Sequence, residues 1–229
     1  TIRVCDSISC AMAGAEMLIA ALEQHATRFA EPVRIQRVPC IGRCAEAPAA
    51  VVHRFPVSPA APESVIAAVA EGRRECPIPP LAPVGDDGYA SLRGLLAEGR
   101  VPAVLTSVFA RLEASGLRGL GGAGFPAGRK WRIVSQQPGE RLLVVNADEG
   151  EPGTFKDRHY LEREPHRFLE GMLIAAWAVG CSACYVYLRD EYAGVRGLLE
   201  RAITALTAAA PRLFGSGAAG WRLPPIHLR

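Results

Sequence analysis

VCDSISC at residues 4–10 and PCIGRCAEAP at residues 39–48 are the segments that decide the fold of the first third of the chain. Each follows a predicted strand (residues 2–5 and 33–38) and contributes two cysteines. The four are Cys5, Cys10, Cys40 and Cys44. Thiolates that converge from two loops suit an iron–sulfur cluster, because one regular element cannot supply four ligands to the same cluster.

Three other interpretations of these cysteines stay open at this point. A structural zinc site more often uses Cys-x2-Cys knuckles, disulfides are rare in reducing compartments, and unrelated core cysteines seldom fall as two spaced pairs after strands. The chain has an odd number of cysteines, 7, and no secretory signal at its start. We therefore expect a cytoplasmic protein whose clustered thiolates bind metal.

Composition excludes several classes of protein. The 229 residues are 49% hydrophobic and 21% charged, which is ordinary for a globular protein. A net charge of +3 is too small to indicate a nucleic-acid partner. The longest apolar run, residues 172–179, is far shorter than the roughly 20 residues of a membrane helix. We expect neither nucleic-acid binding nor a direct membrane span.

The chain divides into two predicted domains joined by a linker. Residues 1–72 read as a compact α/β unit, and residues 73–90 are rich in proline and resist both helix and sheet. Residues 91–229 alternate strands with helices, which favours an α/β layer fold with a parallel sheet. A last strand begins near the end of the sequence, and the open sheet edge there leads us to expect a longer polypeptide.

Hydrophobic periodicity gives the predicted elements of both domains. In residues 1–72 the strands are 2–5, 33–38 and 49–53, and the helices are 11–24 and 62–71. In residues 91–229 the helices are 91–98, 102–114, 165–179 and 191–209, and the strands are 141–146 and 183–188. Cys181 and Cys184 lie in an apolar passage, where we expect them to be buried core residues.

The segment GLGGAGFPAGRKW at residues 119–131 predicts a cofactor loop. It satisfies G-x-G-x-x-G, but the dinucleotide fingerprint requires a preceding strand, and residues 103–114 are helical in pattern. Phe125 and Pro126 fix a turn, Lys130 supplies a cation, and the glycines let a ring or a phosphate approach the backbone. The alternative is a glycine-rich surface turn with a solvated lysine.

The segment NADEGEPGTFKDR at residues 146–158 predicts a second part of that site. Its polar side chains follow directly at the carboxyl end of a predicted strand, where α/β folds bind ligands. Asn146, Asp148, Glu149 and Glu151 offer acceptors that suit ribose and ribityl hydroxyls. The alternative is a solvated acidic loop.

VCDSISC followed by PCIGRCAEAP resembles the thioredoxin-like [2Fe–2S] ferredoxin module of NADH dehydrogenases, NAD-reducing hydrogenases and NAD-linked formate dehydrogenases. The resemblance covers about residues 1–72. It implies that the four cysteines named above are the ligands of a [2Fe–2S] cluster.

Residues 91–229 resemble the flavin- and NADH-binding subunit of respiratory complex I and its diaphorase relatives. The resemblance implies the N-terminal part of a Rossmann-like α/β domain that binds FMN and NAD(H). It implies that Phe125 stacks on a dinucleotide ring and that Glu149 and Glu151 contact NADH near the nicotinamide, as the catalytic pair. The residues implied to hold FMN are Gly119, Gly121, Lys130, Asn146 and Asp148, and Gly122 and Gly124 belong to the same cofactor-binding set.

The sequence departs from this family in two respects. Gly150 separates the two glutamates, where respiratory enzymes commonly have serine. The second glycine-rich segment and the cysteine-rich [4Fe–4S] region of the family do not occur in these residues. We expect both to follow residue 229 in the complete polypeptide.

The combined resemblance predicts an NADH:acceptor oxidoreductase, or diaphorase. Hydride would pass between NAD(H) and FMN, with a one-electron relay through iron–sulfur clusters. Fusion of both modules favours the β subunit of an NAD-linked formate dehydrogenase, with hydrogenase and complex I-like enzymes as relatives. Expected partners are NADH and other iron–sulfur subunits, in the cytoplasm or at the cytoplasmic face of a membrane complex. The alternatives are a metal-stabilised docking module without catalysis and a zinc-binding interaction protein.

Overall fold

The computed structural model describes residues 1–85, 88–120, 122–215 and 221–229. They group into two compact units. The first is Thr1–Pro80, Ala147–Arg163 and Leu188–Leu198, and the second is Leu81–Asn146, Glu164–Tyr187 and Leu199–Arg229. The predicted domain limits (1–72, 73–90 and 91–229) concern segments that fold independently, which this grouping does not test, and they stay a prediction.

The elements follow in chain order. The strands are β1 (Ile2–Cys5), β2 (Ile35–Val38), β3 (Ala50–Val52), β4 (Phe55–Val57), β5 (Leu142–Ala147), β6 (Ala183–Leu188) and β7 (Ile226–Leu228). The helices are α1 (Ile8–Met12), α2 (Ala15–His25), α3 (Pro62–Ala70), α4 (Ala90–Glu98), α5 (Pro102–Ala114), α6 (Ala127–Ser135), α7 (Lys156–Arg163), α8 (Pro165–Val179) and α9 (Ala193–Phe214).

The first unit is built on a sheet of order β2-β1-β3-β4. Strand β1 pairs parallel with β2 and antiparallel with β3, and β3 pairs antiparallel with β4. Helices α2 and α3 cover it, and Leu18, Ile19 and Val65 meet Ile2 and Val4 of β1 in the core. The carboxyl ends of β1 and β2 therefore lie side by side, and Cys5 and Cys40 are placed there.

The helix predicted over residues 11–24 is interrupted. Gly14 has φ +93°, a backbone conformation that ends α1 and starts α2 in a new direction. Glycine adopts this conformation at little steric cost because it has no Cβ atom. The break leaves Cys10 in the short helix α1 and the apolar face of α2 on the sheet.

The second unit has a sheet of order β5-β6-β7, in which β6 and β7 run parallel. Strand β7 confirms the predicted final strand. Helix α8 buries Leu169, Leu173 and Ala178 completely. Cys184 on β6 is completely buried, as predicted, whereas Cys181 is half-buried.

Strand β4 and helices α6 and α7 have no counterpart among the predicted elements. Helix α7 (KDRHYLER) is strongly polar, so it has little apolar periodicity to detect. Strand β4 has only three residues and contains Pro56. Within the described part of the chain, no helix combines the length and the apolar character needed to cross a lipid bilayer.

Candidate functional site: a cysteine cluster and an acidic loop

The four predicted ligand cysteines come together in the first unit. Cys5 ends β1, Cys10 lies in α1, Cys40 follows β2, and Cys44 begins a short 3-10 turn. Cys5, Cys10 and Cys40 are at most 3% exposed, and Cys44 is half-buried. They share one apolar cluster with Ala15, Ile41 and Ala49.

The sulfurs approach one another as two pairs. The Sγ atoms of Cys40 and Cys44 are 3.3 Å apart, and the Cys5 thiol is near enough to Cys10 to raise its pKa. Among the described residues, no group of three or more Cys, His, Asp or Glu surrounds a single metal position. Two pairs of thiols in one apolar cluster suit a two-iron cluster ligated by four cysteines. The donor set therefore fits the predicted [2Fe–2S] group, and the ligand role of each cysteine stays a prediction.

The local environment separates the acidities of these thiols. Burial raises the pKa of Cys10 to about 12, and the neighbouring Cys5 thiol adds to that effect. Burial also raises the pKa of Cys40 to about 11, although the Gly42 N–H donates to its sulfur. Burial also acts to raise the pKa of Cys44. Hydrogen bonds from the Gly153 N–H, Cys40 and Ser9 outweigh this effect, so the pKa of Cys44 is lowered.

A tight turn holds Cys40 and Cys44 together. The Gly42 N–H lies 3.4 Å from the Cys40 sulfur, and Gly42 has φ +71°. The ring of Tyr192 packs directly on this glycine, because an added Cβ would lie 2.7 Å from the Tyr192 Cζ atom. Only glycine satisfies both the backbone conformation and the close approach.

Glu149 of the predicted acidic loop is buried, at 2% exposure. Its carboxylate accepts the Asp157 N–H at 3.1 Å, the Arg158 N–H at 3.4 Å and the Tyr192 hydroxyl at 3.0 Å. Asp157 and Arg158 belong to the first turn of α7, where backbone N–H groups have no partner within the helix. Glu149 therefore accepts hydrogen bonds from the otherwise unpaired N–H groups at the start of α7, and it fixes the loop that precedes this helix.

These interactions determine the acidity of Glu149. Burial acts to raise the pKa of its carboxyl, but the Asp157 N–H, the Tyr192 hydroxyl, the Arg158 N–H and the Lys156 ammonium together lower it. The carboxylate is therefore charged, buried and fully engaged at neutral pH.

Arg189 joins the acidic loop to the cysteine turn. Its guanidinium donates to the backbone carbonyl of Cys40 at 2.5 Å and to the backbone carbonyl of Glu149. Arg189 is 7% exposed, and its charge is balanced by Glu191 at 3.1 Å. Segments far apart in the sequence thus share one buried cation.

Other predicted residues of the acidic loop are exposed. Asp148 and Glu151 both lie at the surface of the first unit, on either side of the buried Glu149. The turn after Glu151 closes through the Thr154 N–H, 3.1 Å from the Glu151 carbonyl. Asn146 is also exposed and belongs to the second unit. Glu151 is therefore free to meet a ligand in a way that Glu149 is not.

The predicted glycine loop lies in the second unit and forms a closed turn. The Gly119 N–H donates to the Phe125 carbonyl at 2.9 Å, and the Ala127 N–H donates to the Leu117 carbonyl at 2.9 Å. Gly124 has φ +55°, and Gly121 lies outside the described residues.

The surface of this loop is open. No atom lies within 4 Å of an added Cβ at Gly122 or Gly124, so the backbone is accessible to a ring or a phosphate. Phe125 is 43% exposed and Lys130 is exposed. The arrangement fits the predicted FMN-binding role, which stays a prediction.

A cavity of about 510 Å³ in the second unit lies elsewhere. Its walls include Gly94 and Leu95 of α4, Val108 and Leu112 of α5, and Ile174 of α8. None of the predicted cofactor residues that the structure describes lines it. Polar side chains of Ser91, Glu98, Arg111 and Ser115 also line the cavity, and we assign it no role.

Sequence reasoning missed Arg189, Tyr192, Gly42 and Gly153. A signal for the first two was present, because both follow the carboxyl end of the buried strand β6, the same position that singled out Asn146. No pattern in the sequence distinguishes the Gly153 amide, since its partner is a sulfur 109 residues away.

Two protein-family models match separate parts of the chain. Residues 1–73 match the family model of the thioredoxin-like [2Fe-2S] ferredoxin, and residues 112–219 match that of the Nuo51 FMN-binding domain.

Individual relatives match parts of the chain. The F subunit of the NADH-quinone oxidoreductase of Aquifex aeolicus is 50% identical over 92 residues, which are 40% of this chain and 22% of the relative. The mitochondrial NADH-ubiquinone oxidoreductase 51 kDa subunit of Neurospora crassa is 44% identical over 118 residues, 49% of this chain and 24% of the relative. The chain thus spans about a quarter of the length of these relatives.

A solved structure matches both parts of the chain together. The NAD+-reducing [NiFe]-hydrogenase in its H2-reduced state gives a TM-score of 0.75 at 28% identity, over 99% of this chain and 42% of that chain.

Proposed function

We propose that this chain is the electron-input module of an NADH oxidoreductase, because residues 1–73 match the family model of the thioredoxin-like [2Fe-2S] ferredoxin and residues 112–219 match that of the Nuo51 FMN-binding domain. The reaction is hydride transfer between NAD(H) and FMN, followed by one-electron transfer to iron–sulfur centres. The observation that carries the proposal is the pairing of four cysteine sulfurs in one apolar cluster of a chain that also matches the flavin domain.

The cysteines supply four thiolates to the [2Fe–2S] cluster. Cys5, Cys10 and Cys40 are shielded from solvent, and the backbone N–H groups of Gly42 and Gly153 donate to the sulfurs of Cys40 and Cys44. Hydrogen bonds of this kind stabilise negative charge on thiolate sulfur. The chain thus provides both the ligands and part of their electrostatic environment.

The glycine loop and the acidic loop supply the organic cofactor contacts. FMN, when bound, accepts a hydride and releases electrons singly, and the protein contributes binding, orientation and electrostatics. In this proposal Gly119, Gly121, Gly122 and Gly124 approach the flavin together with Lys130, Asn146 and Asp148. Phe125 stacks on the dinucleotide, and Glu151 contacts it near the nicotinamide.

For Glu149 the proposal has two parts. Its carboxylate positions the acidic loop by holding the start of α7 and the Tyr192 hydroxyl. Its predicted contact with NADH requires the carboxylate to exchange these partners for the dinucleotide. We therefore place the direct electrostatic contact mainly on Glu151.

The assembly around this module is proposed from the presence of both domains on one chain. A single chain of the solved hydrogenase structure covers both of them. An NAD-linked formate dehydrogenase β subunit has the same fusion by family resemblance, and a complex I-like enzyme is the third assembly. We propose a cytoplasmic, multi-subunit enzyme with further iron–sulfur subunits, including a [4Fe–4S] centre carried outside these residues. Formate-dependent or H2-dependent NAD+ reduction by the purified complex distinguishes these assemblies.

NADH-dependent ferricyanide reduction by the full-length protein tests the proposed activity. We expect Glu151→Gln to raise the KM for NADH about tenfold, the cost of one charged hydrogen bond, while FMN content stays unchanged. Glu200→Gln, at an exposed carboxylate of α9, is the control and is expected to change neither quantity. Equal loss of FMN and NADH binding in Glu151→Gln contradicts the assignment. If the wild-type protein holds its cluster but oxidises no NADH, the proposed activity is wrong and the docking-module interpretation is supported.

A further inference from the structure

One hydrogen bond links the cysteine cluster to the acidic loop. The Gly153 N–H lies 3.1 Å from the Sγ atom of Cys44. Cys44 lies in the segment that matches the [2Fe-2S] ferredoxin family, and Gly153 lies in the segment that matches the FMN-binding family. The partner of this sulfur is thus supplied by the other part of the chain.

The geometry of the acidic loop aims this amide at the sulfur. Gly153 has φ +91°, a backbone conformation that glycine adopts readily and L-residues rarely do. The turn is closed by Thr154, whose N–H and hydroxyl both donate to the Glu151 carbonyl, at 3.1 and 2.6 Å. The amide is therefore held in place by the loop rather than by the cysteine alone.

Two buried groups hold the loop against the cysteine turn. Arg189 donates to the carbonyls of both Cys40 and Glu149, and the Glu149 carboxylate binds the first turn of α7. Gly153 lies between Glu149 and α7, so both of its flanks are fixed. Arg189 is a positioning residue for the Gly153 amide.

We propose that the Gly153 amide is a determinant of the reduction potential of the [2Fe–2S] cluster, acting through its hydrogen bond to the Cys44 sulfur. The inference rests on the proposed function, because it requires the cluster. Reduction adds one electron, and its negative charge is shared by iron and sulfur. A donor at a ligand sulfur stabilises that reduced form more than the oxidised form and so raises the potential.

Two replacements at position 153 test this. Gly153→Ala introduces a side chain at φ +91° with no atom within 4 Å of its Cβ, so it strains the turn without a collision. Replacement of Gly153 by glycolic acid exchanges the N–H for an ester oxygen and leaves the turn sterically unchanged. The control is Gly139→Ala, because Gly139 has φ +90° and equally open surroundings, in a turn of the second unit.

The measurement is a redox titration of the full-length protein with dithionite and mediators, followed by the EPR signal of the reduced cluster and without NADH. We expect both Gly153 replacements to lower the equilibrium constant for reduction about tenfold, which for one electron is about 59 mV. Gly139→Ala is expected to leave the potential unchanged.

The outcomes separate this inference from the proposed function. An unshifted potential in the glycolic acid protein overturns the inference and leaves the [2Fe–2S] assignment intact. A wild-type protein that shows no [2Fe–2S] EPR signal overturns both. If Gly153→Ala does not retain its cluster, the glycolic acid protein decides alone, because its turn keeps the glycine geometry.

Discussion

The cysteine turn and the glycine loop are both built on glycine, yet they use it in opposite ways. The Tyr192 ring occupies the space that a side chain at position 42 would take, whereas the corresponding space at Gly122 and Gly124 is open. The first site is enclosed and its hydrogen-bond partners are already in place. The second presents bare backbone at the surface. The difference matches the groups they are proposed to hold, since a cluster is a permanent part of the core and an organic cofactor must enter from solvent.

The largest expected effect breaks the enclosed site directly. Cys40→Ser replaces the buried sulfur of a proposed cluster ligand by a hydroxyl, so the [2Fe–2S] absorption and EPR signals should be lost. Cys76→Ser changes a half-buried cysteine outside the cluster and should retain both signals. A full cluster signal in Cys40→Ser contradicts the ligand assignment.

The next largest expected effect is on the free energy of unfolding, and it compares the glycine of the cysteine turn with a glycine of the open loop. Gly42→Ala drives a Cβ into the Tyr192 ring and strains φ +71°, so it should lower the free energy of unfolding by about 3 kcal/mol. Gly124→Ala adds only the strain of φ +55° in open space, about 1 kcal/mol. Urea denaturation of the two variants gives the difference. Equal losses would show that the Tyr192 ring moves aside without cost.

A smaller effect compares the two glutamates. Glu149→Gln removes a buried charge that accepts several hydrogen bonds, so it should lower the free energy of unfolding by about 2 kcal/mol. Glu151→Gln, at an exposed side chain, should change it by less than about 0.5 kcal/mol. Urea denaturation at neutral pH measures both values, and similar losses would contradict the structural role of Glu149.

The Glu149 effect should depend on pH with a definite sign. The folded pKa of this carboxyl is lowered, so its stabilisation is complete above the unfolded value of about 4.3 and is lost as the pH falls through the folded value. The difference between wild type and Glu149→Gln should therefore shrink below about pH 4. A difference that stays constant from neutral to acidic pH contradicts this.

The four cysteines that the sequence grouped do come together in the structure, because two physical signals coincide there. The cysteine pairs follow strands, and the strands have apolar periodicity, so the pattern of residues alone places Cys5 and Cys40 at strand ends. The break at Gly14 was missed, since one glycine in an alanine-rich helix pattern does not reveal a positive φ.

The acidic loop shows why the rest could not be predicted. Asp148, Glu149 and Glu151 look equivalent in the sequence, but only Glu149 is buried. Its orientation depends on the backbone donors of α7, a polar helix that the periodicity did not reveal. Arg189 was missed for a related reason, because its partners are backbone carbonyls, which every residue has.

The buried guanidinium of Arg189 also sets an order of events during synthesis. The ribosome releases Cys40 long before it adds residue 189, so the nascent cysteine turn emerges without the cation that later holds its carbonyl. The first compact unit is complete only when the chain reaches Leu198. We therefore expect a metallocentre that needs the ordered cysteine turn to be inserted only after the chain has passed that point.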